Sequence, residues 1–305
     1  NGTTLTESPV VTSRTFGTAA DGLAQGPNHN GGPLVFGPPG SGANAGKLFG
    51  VTGDLNRRGI EQNARSATTS VFTGGVYRLN PDGSVPDDNP FASHADAGVR
   101  PWYAYGVRNS FGLAFDPATR NVWNTENGPD AYDEINLLAS RTNSGWTAIM
   151  GPDARSPGNA PDDLVELPGS TYRDPKFSIE DPIGITALEF LYDAWGGLDG
   201  FRDALIFGDV NTGNLWLLRL NAARDGFVLS GDLADGVLDV GDTLVPFGTG
   251  SQVITDLQVN PYDGRLYIVE LGGTISRVAP VPEPHTWALA LAGLAAVGWR
   301  LRLRA

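Results

Sequence analysis

A chain of 305 residues with a net charge of −13, 41 glycines, 22 prolines and no cysteine narrows the possibilities at once. The acidic balance argues against nucleic acid as a partner, because that binding needs a basic surface to displace counterions. The lack of Cys excludes disulfides, thiolate metal sites and a cysteine nucleophile, and the Gly and Pro content favours many short strands and turns over a helix bundle.

The chain opens at Asn1 with no initiator Met, basic n-region or apolar h-region, so no signal peptide is visible. Residues 1–16 read as the outer strand of a preceding sheet. From Leu34 a pattern recurs: an apolar strand of the form L-x-F, a Pro or Gly turn, a second apolar strand, then a third. It reads Leu34-Val-Phe36, Leu48-Phe49 and Val76-Tyr-Arg-Leu79, then Leu113-Ala-Phe115, Val122-Trp123 and Ile135-Asn-Leu-Leu138. It returns as Leu188-Glu-Phe190, Leu205-Ile-Phe207 and Leu215-Trp-Leu-Leu218. The last copy is Leu257-Gln-Val259, Leu266-Tyr-Ile268 and Ile275-Ser-Arg-Val278. Repeating multi-strand sheets are read as β-propeller blades. The units exceed the roughly 40 to 50 residues of common propeller repeats, so long loops are inserted between strands. A two-sheet sandwich is the competing architecture, but it does not explain one strand order recurring in this way.

The stretch Pro101–Leu138 gathers polar groups at strand ends, where a β scaffold carries its sites. Arg108-Asn109 precedes its first strand, Glu126-Asn-Gly-Pro-Asp130 is expected as a loop, and Asp133-Glu134 starts the third strand. Gly128-Pro129 with Asp130, Asp133 and Glu134 could supply oxygen ligands for Ca²⁺, or could be ordinary turn chemistry; spacing leaves both open. Histidine occurs at 29, 94 and 285. His285 lies in the tail and His94 in a polar connector, so His29 is the candidate base, although a loop histidine taken alone is more simply read as solvated. Neither a G-x-S-x-G elbow nor a phosphate-cradling Gly loop appears.

At the far end, Val281-Pro-Glu-Pro284 is followed by an apolar run from Thr286 to Trp299 and by arginines at 300, 302 and 304. The run is shorter than the roughly 20 residues that span a bilayer comfortably, though the flanking arginines suit a marginal anchor. This tail resembles the PEP-CTERM sorting signal of Gram-negative bacteria. The resemblance implies export to the periplasm, cell surface or extracellular matrix, transient inner-membrane anchoring through residues 286–303, and removal by an exosortase.

Several ordered motifs between about Pro27 and Val278 resemble the soluble PQQ-dependent sugar dehydrogenases, the glucose/sorbosone dehydrogenase family. They are His29-Asn-Gly-Gly32-Pro-Leu34, Gly75-Val-Tyr-Arg-Leu79 with the turn to Pro90, Tyr105-Gly-Val-Arg-Asn109, Gly112-Leu-Ala-Phe-Asp-Pro117, Glu126-Asn-Gly-Pro129, Asp133-Glu-Ile-Asn-Leu137 and Gly145-Trp146. The family implies an all-β, six-bladed-type propeller. Residues 1–279 would be an N-terminally truncated fragment with about four blades, and residues 280–305 the sorting tail with a hydrophobic helix. It also implies roles. His29 matches the general base that takes the proton of a sugar's anomeric hydroxyl while hydride passes to PQQ, and Arg108 a catalytic cation that also holds the cofactor. Asn109 and Asn127 match cofactor contacts, Asn211 occupies a cofactor-binding position, Gly128 and Pro129 match carbonyl ligands of the Ca²⁺ at the cofactor, and Glu134 a ligand of a second, structural Ca²⁺.

Departures from the family pattern are also visible. Asn211 stands where the family has a cofactor lysine, and Val253-Ile-Thr-Asp256 where it has arginines. Asn28 replaces the usual acidic partner before the histidine, and Phe111 stands where Gln is common. Two functions follow: an exported quinoprotein oxidising aldose-type sugars, or a degenerate propeller that binds carbohydrate or a matrix partner at the cell surface without turnover.

Overall fold

The computed structural model describes residues 28–55, 73–156, 164–191, 201, 203–260 and 262–278. The expected outer strand over 1–16 and the tail from 280 lie outside the described residues. Within them the fold is all-β, and the four repeated units are four separate sheets.

The first sheet is built on β1 (Leu34–Phe36), β2 (Leu48–Thr52), β3 (Gly75–Leu79) and β4 (Trp102–Tyr105), paired antiparallel in that order. Two short strands, β8 (Thr142–Asn143) and β9 (Thr171–Tyr172), extend it in parallel beyond β4. The second sheet comprises β5 (Leu113–Phe115), β6 (Val122–Glu126), β7 (Asp133–Leu138) and β10 (Phe177–Ile179), with β14 (Val237–Leu238) added in parallel. The third holds β11 (Ile185–Leu191), β12 (Ala204–Asp209) and β13 (Leu215–Arg219). The fourth holds β15 (Ile254–Val259), β16 (Leu266–Glu270) and β17 (Ile275–Arg277). Every strand of the expected repeat is present. The strands β4 and β10, which complete the first two units, were not expected, because β4 lies in an aromatic segment without alternation and β10 has only three residues.

Alternation along the strands explains how the sheets stack. In β5, Leu113 and Phe115 enter the core shared with the first sheet, whereas Ala114 enters the core shared with the third. In β12, Leu205 and Phe207 turn toward the second sheet and Ile206 toward the fourth. A strand buried on both faces needs apolar residues at every position, with the pleat dividing them between two cores. That is why these units read as continuous apolar runs. Among the described residues a core lies between each pair of successive sheets, anchored by Phe49 and Tyr103, by Trp123 and Phe190, and by Ile206 and Leu257. This is blade-on-blade packing.

The leading strands sit side by side, β1 against β5, β5 against β11, and β11 against β15. Together they line a cavity of about 540 Å³ whose walls include Leu34, Phe36, Phe111, Leu113, Glu189 and Asp256. Antiparallel pairing puts the start of each leading strand beside the end of the second strand, as in the pairs Leu34 with Gly50, Leu113 with Asn124, Ile185 with Asp209 and Ile254 with Glu270. Loops entering the first strand and leaving the second therefore crowd one rim.

Candidate functional site

Glu126 closes β6 rather than opening a loop, as the sequence suggested, so the loop begins at Asn127. The strand extends because Glu126 pairs with Glu134 of β7. An acidic residue stands at the same place in each unit: Asp54 just after β2, Glu126, Asp209 and Glu270. Each carboxylate ties down neighbouring loop. Glu126 Oε1 accepts from Arg108 N at 2.6 Å, Glu270 Oε1 from Gln252 N at 3.1 Å, and Asp209 Oδ1 from Thr212 N at 2.5 Å.

His29 and Asp54 meet on this rim. The imidazole Nδ1 lies 2.6 Å from Asp54 Oδ1, and the indole N–H of Trp146 donates to Asp54 Oδ2 at 2.9 Å. A carboxylate only accepts, so Nδ1 carries a proton, and in the neutral imidazole Nε2 is then the acceptor. Asp54 is buried and the His29 side chain is 14% exposed. His29 also holds a left-handed backbone, φ 56°, an uncommon state for a non-glycine residue that is found where surrounding structure over-determines it. The acidic partner absent at Asn28 is thus supplied by Asp54. Sequence order hid this, because the two residues flank the β1–β2 hairpin.

Gly53 makes the meeting possible. A Cβ there would lie 2.4 Å from both the His29 and the Arg108 carbonyl oxygens. Only glycine lets these three segments converge, and Asp54 N then donates to Arg108 O at 2.7 Å.

Arg108 turns its guanidinium along the rim. Its Nη1 donates to the carbonyls of Asn127 and Gly128 at 2.8 and 3.0 Å, and its carbon stands 5.5 Å from the centre of a Trp146 ring. Asn109 donates to Asn127 Oδ1 at 3.3 Å, and Asn127 donates onward to Ile185 O at 2.7 Å. Asn109 Oδ1 is buried without a hydrogen-bond partner. The Asn127–Pro129 loop is held by Asp133, whose two oxygens accept from the backbone N–H groups of Gly128, Gly184 and Ile185. A Cβ on Gly128 would lie 2.0 Å from Ala131 O, so this turn requires glycine. Pro129 follows, half-buried.

Beneath the loop the two glutamates face each other in register, both buried. Burial, reinforced by the Glu134 charge, pushes Glu126 well above the usual carboxylate range, and its Oε2 has no partner. Burial likewise pushes Glu134 up to about 8, against hydrogen bonds from Asn136 and the Gly151 N–H. Asn211 sits exposed at the β12–β13 turn and donates to Pro182 O at 3.3 Å, next to the 183–185 segment that Asn127 and Asp133 bind. The rim therefore unites His29, Arg108, Asn109, Asn127 and Gly128 in one network, with Asn211 at its neighbouring edge and Glu134 behind it.

The donor set fits part of what the family resemblance asks. Carbonyl oxygens of Asn127 and Gly128 converge on one positive group, which is the chemistry of a Ca²⁺ seat, and Arg108 suits an anionic oxygen. Residues 211 and 253–256 bring no positive charge. Among the described residues no cluster of three or more His, Asp or Glu side chains forms a metal site. None of His29, Asp54, Arg108 or Gly128 lines the cavity between the leading strands; Phe111 and Gly112, which follow Asn109 in the chain, do line it.

A family model described as Glucose / Sorbosone dehydrogenase matches residues 9–238, and one described as the PEP-CTERM protein-sorting motif matches residues 280–305. An aldose sugar dehydrogenase of Escherichia coli (strain K12) is 29% identical over 255 residues, 83% of this chain and 60% of that protein. Quinoprotein glucose dehydrogenase B of Acinetobacter calcoaceticus is 32% identical over 144 residues, 43% of this chain and 28% of that protein. A solved structure described as a glucose dehydrogenase superposes with a TM-score of 0.61 at 26% identity, covering 83% of this chain and 64% of its own. The chain thus spans less than two thirds of the length of these relatives.

Proposed function

The chain belongs to the glucose/sorbosone dehydrogenase family, and from that membership we propose that it is an exported oxidoreductase that oxidises aldose-type sugars with PQQ and Ca²⁺. The observation that supports this most is the His29–Asp54 hydrogen bond of 2.6 Å. In the neutral imidazole it makes Nε2 the acceptor, which can take the proton from the anomeric hydroxyl as the C1 hydride departs. Bound PQQ supplies the two-electron acceptor for that hydride. Arg108 would offset negative charge on the acceptor's oxygen, and Asn109, Asn127 and Asn211 would orient it. The carbonyls of Gly128 and Pro129 would hold the Ca²⁺, with Glu134 serving a second ion. The PEP-CTERM motif marks an exported protein sorted to the cell envelope. An exosortase would remove the tail after residues 286–303 had paused in the inner membrane.

The test is to add PQQ and Ca²⁺ to the full-length protein and follow cofactor absorbance and aldose-dependent dye reduction. Uptake and turnover are both expected, and both should vanish on chelation. A second reading is favoured by Asn211 and by residues 253–256, which give an anionic cofactor no positive charge. In that reading the rim is a surface binding module for carbohydrate or a matrix partner. A full-length protein that takes up no PQQ but retains a sugar ligand would establish it.

A further inference from the structure

Trp146 touches both halves of the rim. Its indole N–H binds Asp54 Oδ2 at 2.9 Å, while its ring supports the Arg108 guanidinium at 5.5 Å. Its own place follows from strand pairing. The strands β4 and β8 are parallel, with Tyr105 opposite Asn143, so both chains leave the sheet in one direction. One exit leads through Gly106 and Val107 to Arg108, and the other through Ser144 and Gly145 to Trp146. The Trp146 N–H backbone bond to Gly106 O, 3.0 Å, and the Ser144 bond to Tyr105 O, 2.8 Å, hold the two exits together. Trp146 is only 8% exposed, so its indole nitrogen is committed to a protein partner.

We propose that Trp146 is a positioning residue that couples the base pair to the cofactor's cation. The carboxyl torsion of an aspartate is soft and roughly two-fold. Without the indole N–H on Oδ2, the Asp54 carboxylate could tilt away from Nδ1. With that buried donor in place, it keeps Oδ1 on Nδ1 and so favours one imidazole tautomer. A hydrogen-bonded outer partner of this kind sets the tautomer of a working histidine. The ring meanwhile fixes where Arg108 stands over the Asn127–Gly128 carbonyls. One side chain therefore sets the spacing between proton acceptor and cation. This inference rests on the dehydrogenase reading and adds to it a residue that acts through two others.

The test uses the full-length protein with Trp146→Phe and Trp146→Leu. Phe keeps a ring under Arg108 and deletes the N–H; Leu deletes both. The ring ¹⁵N resonances of His29, recorded without cofactor, should show one Nδ1-protonated tautomer in the parent and a mixture of tautomers in both variants. With PQQ and Ca²⁺, Trp146→Phe should lose ~10- to 100-fold in turnover with PQQ affinity within about twofold of the parent. Trp146→Leu should weaken PQQ binding as well. A single fixed tautomer and parental turnover in Trp146→Phe would overturn the proposal, as would equal losses of turnover and PQQ affinity that track a fall in Tm. Both variants delete the N–H, so whichever folds decides. The tautomer reading needs no cofactor: a parent that takes up no PQQ defeats the dehydrogenase reading, and the tautomers still decide the role of Trp146.

Discussion

His29 and Asp54 stand on opposite sides of the β1–β2 hairpin, and antiparallel pairing closes the distance between their side chains to 2.6 Å. The carboxylate is buried, while the imidazole keeps a small opening to solvent. A base must reach its substrate but must not drift, and this arrangement provides both conditions.

His29→Ala should lower turnover by ~10²- to 10⁴-fold, the range for a lost general base, with little change in PQQ uptake. Asp54→Asn should lower it less, and the double variant should be little worse than His29→Ala alone, because residues acting as one unit do not add. Stopped-flow rates on the three variants check this; additive losses would mean that the two residues act separately.

Arg108→Ala should affect binding first. One charge-assisted hydrogen bond from the guanidinium to the anionic cofactor would be worth about 1.5–3 kcal/mol, so PQQ affinity should fall roughly 10- to 150-fold. Titration of cofactor absorbance measures it. Arg108→Lys should recover only part of the loss, since an ammonium cannot reproduce the planar fork or its stacking on Trp146.

The repeat was legible in the sequence because strands such as β5 and β12 are buried on both faces, so Leu113-Ala-Phe115 and Leu205-Ile-Phe207 stand out as apolar runs bounded by turns. The strands β8, β9 and β14 were not, since two residues carry no periodicity and their pairing is decided by the sheets beside them. In the site, His29, Arg108, Asn109 and the Asn127–Pro129 loop could be named from motif resemblance. Asp54 could not, because its role depends on a hairpin register and on the close approach that Gly53 permits. The four acids at or just beyond the ends of the second strands were a readable signal, masked by their unequal spacing from the preceding aromatic or apolar residues.

A buried ion pair holds the second and third sheets together. Arg224 meets Asp116 through bonds of 2.7 and 2.8 Å and reaches the exposed Asp203 at 2.8 Å. Although burial opposes it, the Arg224 hydrogen bond and those from Ala118 and Thr119 hold the Asp116 carboxyl below its usual range. Arg224→Met would strand a buried charge and should cost about 3–5 kcal/mol in urea unfolding. Asp203→Asn, at a surface pair, should cost under about 1 kcal/mol.

Glu189 gives the cavity a pH dependence. Desolvation of this half-buried side chain between the third and fourth sheets pushes its carboxyl from 4.5 up to about 7, against bonds from the Phe190 and Val259 N–H groups. The folded state therefore holds this proton more tightly than the unfolded chain does. The resulting stability is complete below about pH 4.5 and is lost as pH rises toward 7. Glu189→Gln, which mimics the protonated acid, should flatten the fall in Tm across that window; an unchanged slope would assign it to other groups.

The most direct measurement of the central claim is single-turnover reduction of the PQQ- and Ca²⁺-loaded full-length protein by an aldose carrying hydrogen or deuterium at C1, followed by cofactor absorbance. The account predicts reduction with a primary isotope effect in the parent, and slow reduction in a His29→Ala protein that still holds PQQ. Reduction at the parental rate without the imidazole, or a loaded parent that no aldose reduces, would contradict it.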